Sequence, residues 1–300
     1  MKNTKSTEKK TVLITGASTG FGNLTTRRLL QEGYKVFASM RNPQGSNRAR
    51  AEELVEHARE ISAELTILDI DVTDNESIAK GVATVLTKAA GIDVLINNAG
   101  QAYMGPFEAF SDEQLRQQFD VNFFGPAPLN RAVLPGMRDA GQGLIVHVSS
   151  GLGRAVFPGT GVYSASKFAL EAMSEAIRYE ASAFGVDSVT IEPGAFDTGI
   201  TGSFVEPERR TESEAYGPLS DTSGNFRTSL DAYFQSGGGD PQEVVSAILN
   251  AIETEPENRP ARVAVGADVN FVTALNESAL PHQREGLRTF GMEAFESLAS

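Results

Sequence analysis

The stretch Val12-Leu13-Ile14-Thr15-Gly16-Ala17-Ser18-Thr19-Gly20-Phe21-Gly22 decides the fold. Three apolar residues of strand character come first, then a glycine cluster, then a helix-period pattern. Glycines let the backbone turn sharply and come close to a pyrophosphate, which then sits at the positive end of the following helix. Glycines also make ordinary turns. What gives this cluster weight is its place between a first strand and a first helix, near the start of a strand–helix alternation.

That alternation runs through the chain. Short β-branched or aliphatic runs recur at Val36–Ala38, Leu65–Ile70, Val94–Ile96, Leu144–Val148, Val189–Ile191 and Arg262–Val265. Several are apolar at successive positions, as strands buried on both faces are. Helix-period segments lie between them. Thr73 followed by Glu76 reads as a capping box, with Ile78, Val82, Val85, Leu86 and Ala89 as one apolar face. Asp240 and Pro241 followed by Glu243 open another helix, with Val244, Ile248 and Ile252 on one stripe. Ser111 with Gln114 opens a third. The pattern predicts an α/β fold, a doubly wound parallel sheet of about seven strands with helices on both faces. There is no internal repeat and no linker. Residues 11–300 are expected to form one domain after a flexible tail over 1–10.

Composition narrows the function. The chain has 300 residues, 39 acidic and 26 basic, for a net charge of -13. Such a surface argues against nucleic acid or an anionic membrane as the main partner. There is no cysteine, which excludes disulfides and thiolate chemistry. His57, His147 and His282 are far apart and form no local metal motif, so no metal is expected. No apolar run approaches the ~20 residues of a membrane helix, and the polar start has no secretion core. A cytoplasmic location follows as the expectation. One region breaks the alternation: 199–239 is rich in Gly, Ser, Thr and Pro yet carries Phe204, Tyr216, Phe226, Tyr233 and Phe234. It is expected to be a lid over a site rather than a plain connection.

Three more groups carry chemistry. Asn97-Asn98-Ala99-Gly100 ends the fourth strand, and Ser149-Ser150 ends the fifth. Tyr163 and Lys167 stand four apart at the start of a helix, which puts phenol and ammonium on one face. An ammonium nearby favours phenolate and so is expected to lower the tyrosine pKa. Taken together and in this order, these pieces make the chain resemble the short-chain dehydrogenase/reductase family, over about Thr11 to Thr198. The match includes Val121-Asn122-Phe123-Phe124-Gly125, and Pro193-Gly194 with Thr198.

The resemblance implies a Rossmann-type domain and a hydride transfer between a nicotinamide cofactor and a carbonyl or alcohol carbon. It implies Tyr163 as general acid or base, Ser150 as hydrogen-bond partner of the substrate oxygen, and Lys167 as holder of the nicotinamide ribose. Asn122 would anchor a water relay to Lys167. Gly16, Ser18, Gly20, Phe21 and Gly22 would surround the pyrophosphate. Asp71 and Val72 would meet the adenine, Asn98, Ala99 and Gly100 would flank the cofactor, and Pro193, Gly194 and Thr198 would face the nicotinamide side. Ser150 is preferred to Ser149, read as a structural hydroxyl, because the family's serine lies about a dozen residues before the tyrosine.

Met40 stands where NAD-preferring members usually carry Asp, and Arg41 follows it. A carboxylate there repels a 2′-phosphate and an arginine accommodates one, so NADP(H) is expected over NAD. Leu152, Val156 and Phe157 between Ser150 and Tyr163 suggest an apolar ketone, aldehyde or alcohol as substrate. A homo-oligomer, dimer or tetramer, is the family expectation. Pro126 and Pro128 fall inside what the family makes one continuous helix, so a bend is expected just after Asn122. The stripe Ala165, Ala169, Ala172 and Ala176 reads equally as burial within the chain or between subunits. Two other functions stay open on these residues: a non-catalytic NADP(H)-binding sensor, and a dehydratase or epimerase.

Overall fold

A computed structural model describes residues 10–299, so all but Lys10 of the tail expected over 1–10 lies outside the described residues. In chain order come β1 (Thr11–Ile14), α1 (Gly20–Gln31), β2 (Lys35–Met40), α2 (Arg48–Glu60), β3 (Leu65–Asp69), α3 (Asn75–Lys88), β4 (Val94–Asn97), α4 (Asp112–Phe119), α5 (Pro126–Ala140), β5 (Gly143–Val148), α6 (Gly161–Ala181), β6 (Val186–Pro193), α7 (Arg210–Glu214), α8 (Thr222–Gln235), α9 (Gln242–Glu253), β7 (Arg262–Val265) and α10 (Asn270–Thr289). The seven strands form one sheet in the order β3-β2-β1-β4-β5-β6-β7. Every neighbouring pair is parallel.

Strand residues point alternately to the two faces, and each face buries its own cluster. Val12, Ile14 and Val36 pack with Leu29 of α1, Leu54 of α2 and Ile248 of α9. Leu13, Phe37 and Leu95 pack with Val82 of α3, Leu129 of α5 and Ile177 of α6. The apolar runs in the sequence are therefore strands covered on both sides. The chain leaves β1 in one direction and β4 in the other, which opens a crevice at their carboxyl ends.

Three local readings change. The N-cap of α3 is Asp74, not Thr73: its carboxylate accepts from the Glu76 and Ser77 amides at 2.8 and 3.3 Å. Thr73 instead donates its hydroxyl to Asp71 at 2.8 Å. Leu86, placed on the buried face of α3, is 52% exposed, because it sits at the edge of the stripe set by Ile78, Val82 and Val85. On α6, Ala165, Ala172 and Ala176 are exposed, so that stripe is not buried within the chain.

The Ser111–Gln114 capping box opens α4. Where the prolines predict a bend just after Asn122, the structure has a π-type turn over Asp120–Phe124, which separates α4 from α5. Pro126 then occupies the first turn of α5, where its missing N–H costs nothing. The 199–239 segment holds α7, α8 and short 3₁₀ turns. Val205 exchanges backbone hydrogen bonds with Ala102 and Met104, at 2.9 and 3.0 Å, and so ties the segment to the chain after β4.

Candidate active site

The turn after β1 is built by close approach. Gly16 and Gly20 have φ of +68° and +55°, a region costly for residues with a Cβ. A Cβ at Gly22 would lie 2.2 Å from the Gly16 carbonyl oxygen and 2.5 Å from Asn98 Nδ2. Asn98 donates from Nδ2 to the carbonyls of Thr15 and Gly16 at 2.8 and 3.2 Å. The Thr15 hydroxyl in turn accepts from the Asn98 and Ala99 amides, both at 3.0 Å. Asn98 thus holds the ends of β4 and β1 together across the crevice. The N-terminus of α1 has no acidic residue in its first turn and no side-chain cap from Thr19. The helix start therefore offers amides without a competing acidic or capping side chain, beside the half-buried Ser18, a setting that suits a phosphate. The residues present fit a dinucleotide.

The adenosine end is less enclosed. Ala17 donates its amide to the Ser39 carbonyl at 2.9 Å, which puts the end of β2 beside the glycine turn. Met40 is buried in the core and Arg41 is exposed at the strand end. Asp71 has its Oδ1 engaged by the Thr73 amide and hydroxyl. Val72 packs into the core cluster beside α3.

At the other end of the crevice, β5 delivers Val148, Ser149 and Ser150 to the first turns of α6. Ser149 and Ser150 diverge. Ser149 borders the pocket but donates its hydroxyl away to Glu171 Oε1 at 2.7 Å. Ser150 accepts from the Leu152 amide at 3.2 Å and hydrogen-bonds Tyr163. Tyr163 is 7% exposed. Burial pushes its phenol up to about 12, with the Ser150 hydrogen bond acting the other way. The expected lowering by Lys167 is absent, because burial wins. Lys167 Nζ donates to the Val148 carbonyl at 2.9 Å and lies 5.8 Å from the centre of the Tyr163 ring. Burial lowers its ammonium to about 8, against the Glu171 charge, which raises it.

Asn122, in the π-type turn, accepts from the Gln101 amide and donates to the Gln101 carbonyl and Ser166 Oγ, each at 3.0 Å. Ser166 donates on to the Tyr163 carbonyl at 2.7 Å. Asn122 therefore stands behind the tyrosine. A Cβ on Gly100 would lie 3.5 Å from Asn122 Oδ1 and 3.6 Å from Lys167 Nζ, so the turn after β4 passes beside both.

Gly100, Ser150, Tyr163 and Lys167 share a pocket of about 240 Å³, whose wall does not include Asn122. Phe21, Asn98, Gly100, Ser150, Leu152, Phe157, Tyr163, Lys167, Pro193, Gly194 and Thr198 line it. Thr198 also sits over Gly20, 3.3 Å from where a Cβ there would be. Val156 does not belong to the wall: it points outward, 59% exposed, while Phe157 beside it turns in and packs on Phe271, ring centres 5.7 Å apart. The wall also holds residues not singled out as contacts in the sequence. Met104 comes from the stretch after β4 and Phe271 from α10; neither carries a local signal. Phe204, Phe226, Leu230 and Phe234 come from the 199–239 segment, where aromatic content was the visible sign. Phe204 and Phe226 stack with centres 6.1 Å apart. Among the described residues, no helix is long and apolar enough to cross a membrane.

Comparison with known proteins agrees with this architecture. The family profile described as short chain dehydrogenase matches residues 10–209. The 3-ketodihydrosphingosine reductase of Bacteroides thetaiotaomicron is 34% identical over 272 residues, covering 90% of this chain and 93% of that protein. A short-chain dehydrogenase structure from Streptomyces avermitilis superposes with a TM-score of 0.77 at 34% identity, over 95% of this chain and 98% of that one. A serine dehydrogenase complexed with NADP+ superposes with a TM-score of 0.72 at 27% identity, over 87% and 96%. A matching profile over two thirds of the sequence, a similar fold over nearly its whole length and the order of the site residues lead to one conclusion: this chain belongs to the short-chain dehydrogenase/reductase family of oxidoreductases.

Proposed function

We propose that the chain is an NADP(H)-dependent oxidoreductase that interconverts an apolar ketone or aldehyde and its alcohol, with Tyr163 as the acid–base group. The observation that carries this reading is the convergence of Tyr163, Ser150 and Lys167 on one side of an otherwise largely apolar pocket. We read residues 11–300 as one catalytic domain, with 199–239 as the cover on its substrate side. A ketone substrate is supported by the reductase relative, and an apolar one by Met104, Phe204, Phe226 and Phe271. A homo-oligomer would use the outward stripe of α6.

The residues for the cofactor are Gly16, Ser18, Gly20, Phe21 and Gly22 at the phosphates, and Asp71 and Val72 at the adenine. Asn98, Ala99 and Gly100 lie along its length, and Pro193, Gly194 and Thr198 at the nicotinamide. Arg41 would take the 2′-phosphate, supported by its exposure beside the glycine turn and by the missing carboxylate at Met40. When bound, the nicotinamide supplies a hydride in reduction and receives one in oxidation.

The chain's own residues handle the proton. Ser150 donates a hydrogen bond to the substrate oxygen and orients it. Tyr163, kept neutral by burial, gives its phenolic proton to that oxygen as negative charge develops. The Lys167 ammonium stabilises the phenolate left behind and holds the ribose hydroxyls. Asn122 fixes Gln101 and, through Ser166, the start of α6, on the route by which a water relay would reach Lys167. The apolar wall keeps bulk water from the reacting centre.

The test is NADPH oxidation followed by absorbance with apolar ketones and aldehydes of increasing chain length, against charged ones, and with NADH in parallel. Turnover of the apolar set with NADPH preferred is expected. Dinucleotide binding without turnover of any carbonyl would favour the sensor reading.

A further inference from the structure

Tyr163, Lys167 and Glu171 occupy successive turns of one face of α6. The first two belong to the catalytic reading; Glu171 has no part in it. Its side chain is only 2% exposed, and it shares Arg262 Nε as a neighbour within 4 Å with Glu192 of β6, which is fully buried. Each carboxyl has one oxygen satisfied: Ser149 donates to Glu171 Oε1 and Asn276 Nδ2 of α10 to Glu192 Oε2, both at 2.7 Å. The remaining oxygens, Glu171 Oε2 and Glu192 Oε1, are buried without a donor.

The charged groups around them do not supply one. Arg262 Nε of β7 lies 3.7 Å from Glu171 and 3.8 Å from Glu192, too far for a hydrogen bond, and its Nη2 is committed to Glu175 of α6. Arg154 Nε is 3.9 Å from Glu171 Oε2 and donates instead to Asn276 at 2.7 Å. Lys167, one turn back, donates to Val148. Two bare carboxylate oxygens beside one Arg262 Nε, away from water, repel each other and lack hydrogen bonds. One proton between them removes a charge and satisfies both atoms.

We infer that Glu171 and Glu192 hold one shared proton between Glu171 Oε2 and Glu192 Oε1, and that Glu171 is thereby a positioning residue for the catalytic centre. Burial and the neighbouring Glu192 carboxyl push Glu171 up to about 8, and burial raises Glu192 as well. Through Ser149 the pair fixes the strand end that carries Ser150 next in sequence and the Val148 carbonyl that anchors Lys167. Through Asn276 it fixes α10, whose Phe271 lines the pocket. Gly153 closes over it: a Cβ there would lie 2.2 Å from Glu171 Oε1. The positioning role rests on the catalytic reading of Tyr163, Lys167 and Ser150; the shared proton does not.

The experiment compares the full-length wild type with Glu171→Gln and Glu171→Leu. The glutamine amide keeps an acceptor for Ser149 and offers Glu192 a permanent donor, whereas leucine removes both. A protonated-carboxyl stretch is expected in the infrared spectrum of the wild type at pH 7, lost at pH 10 and absent from Glu171→Gln, whose amide satisfies an ionised Glu192. A carboxyl held above its unfolded pKa contributes stability that is fully present below the unfolded value and lost as pH rises through the folded one. The wild-type Tm should therefore fall relative to that of Glu171→Gln between about pH 4.5 and pH 8. Glu171→Leu should lose about tenfold or more of kcat with NADPH binding retained, and Gln should recover most of it.

No carboxyl band, or Tm curves that stay parallel across that range, overturns the shared proton. Unchanged kcat and pH profile in Glu171→Leu overturn the positioning role. If the leucine variant does not fold, a glutamine variant whose kcat–pH profile matches wild type overturns it, and a shifted alkaline limb supports it. Tyr163→Phe should keep the infrared band, so a failure of the catalytic reading shows separately.

Discussion

Tyr163→Phe removes a single oxygen from the centre of the site. The ring keeps its place beside Ala102 and Met104, so no cavity forms. What is lost within the chain is the hydrogen bond with Ser150, worth about 1 kcal/mol net, so Tm should move by only a few degrees. Catalysis should suffer far more. Positioned proton transfer is worth roughly 10²–10⁴-fold, equivalent to about 3–5 kcal/mol of barrier. Dinucleotide affinity, read by NADPH fluorescence, should stay within about twofold.

The wild-type pH profile tests the same assignment without a mutation. With the phenol at about 12, roughly one molecule in 10⁵ carries phenolate at pH 7 and one in 10³ at pH 9. Reduction uses the neutral phenol and should be flat until Lys167 loses its charge near 8. Oxidation needs the phenolate and should rise about tenfold per pH unit over the same range. Stopped-flow absorbance in both directions between pH 6 and pH 9 measures both slopes. A phenylalanine variant with more than a tenth of wild-type turnover, or an oxidation rate indifferent to pH, refutes the reasoning.

Other perturbations reach other parts of the site. Arg41→Ala should raise the KM for NADPH by about ten- to a hundredfold, the worth of a hydrogen bond to a charged group, and barely alter that for NADH; equal effects on both would remove Arg41 from the 2′-phosphate. Gly22→Ala places a methyl 2.2 Å from the Gly16 carbonyl and should cost about 1–3 kcal/mol of stability, seen as a lower Tm, with weakened dinucleotide binding. Phe226→Ala opens the wall opposite Tyr163 and should raise the KM for apolar substrates about tenfold while sparing NADPH affinity, since only the substrate side loses contact area. Steady-state kinetics at fixed saturating cofactor separate the last two.

The seven strands were legible because each carries a short β-branched or aliphatic run; the inner strands are buried on both faces, whereas the edge strands β3 and β7 are half-buried and β6 mixes polar residues into its run. The Ser111 cap was legible for a similar reason: both halves of its box are side chains three residues apart. The α3 cap was misread because Thr73 and Asp74 are both good caps, and only the backbone path out of β3 decides between them. Val156 and Phe157 look alike in sequence, yet the turn before α6 sends one to solvent and the other to Phe271. Met104 and Phe271 enter the wall from segments some 170 residues apart, a pairing that no local pattern records. The Tyr163–Lys167 spacing predicted proximity well and electrostatics badly, because depth of burial is a property of the whole fold.

The π-type turn over Asp120–Phe124 has a consequence for how this region tolerates change in length. Such a turn accommodates one residue more than an α-helical turn does. Each residue in a helix advances the direction of the side chains by about 100°. A one-residue deletion that restored regular helix here would swing Asn122 and α4 relative to α5, away from Gln101 and Ser166. Substitutions around Asn122 change one contact at a time, whereas an indel resets the phase of the whole segment. Chain length between Ser111 and Pro126 is therefore itself a constraint on the site, independent of which residues fill it.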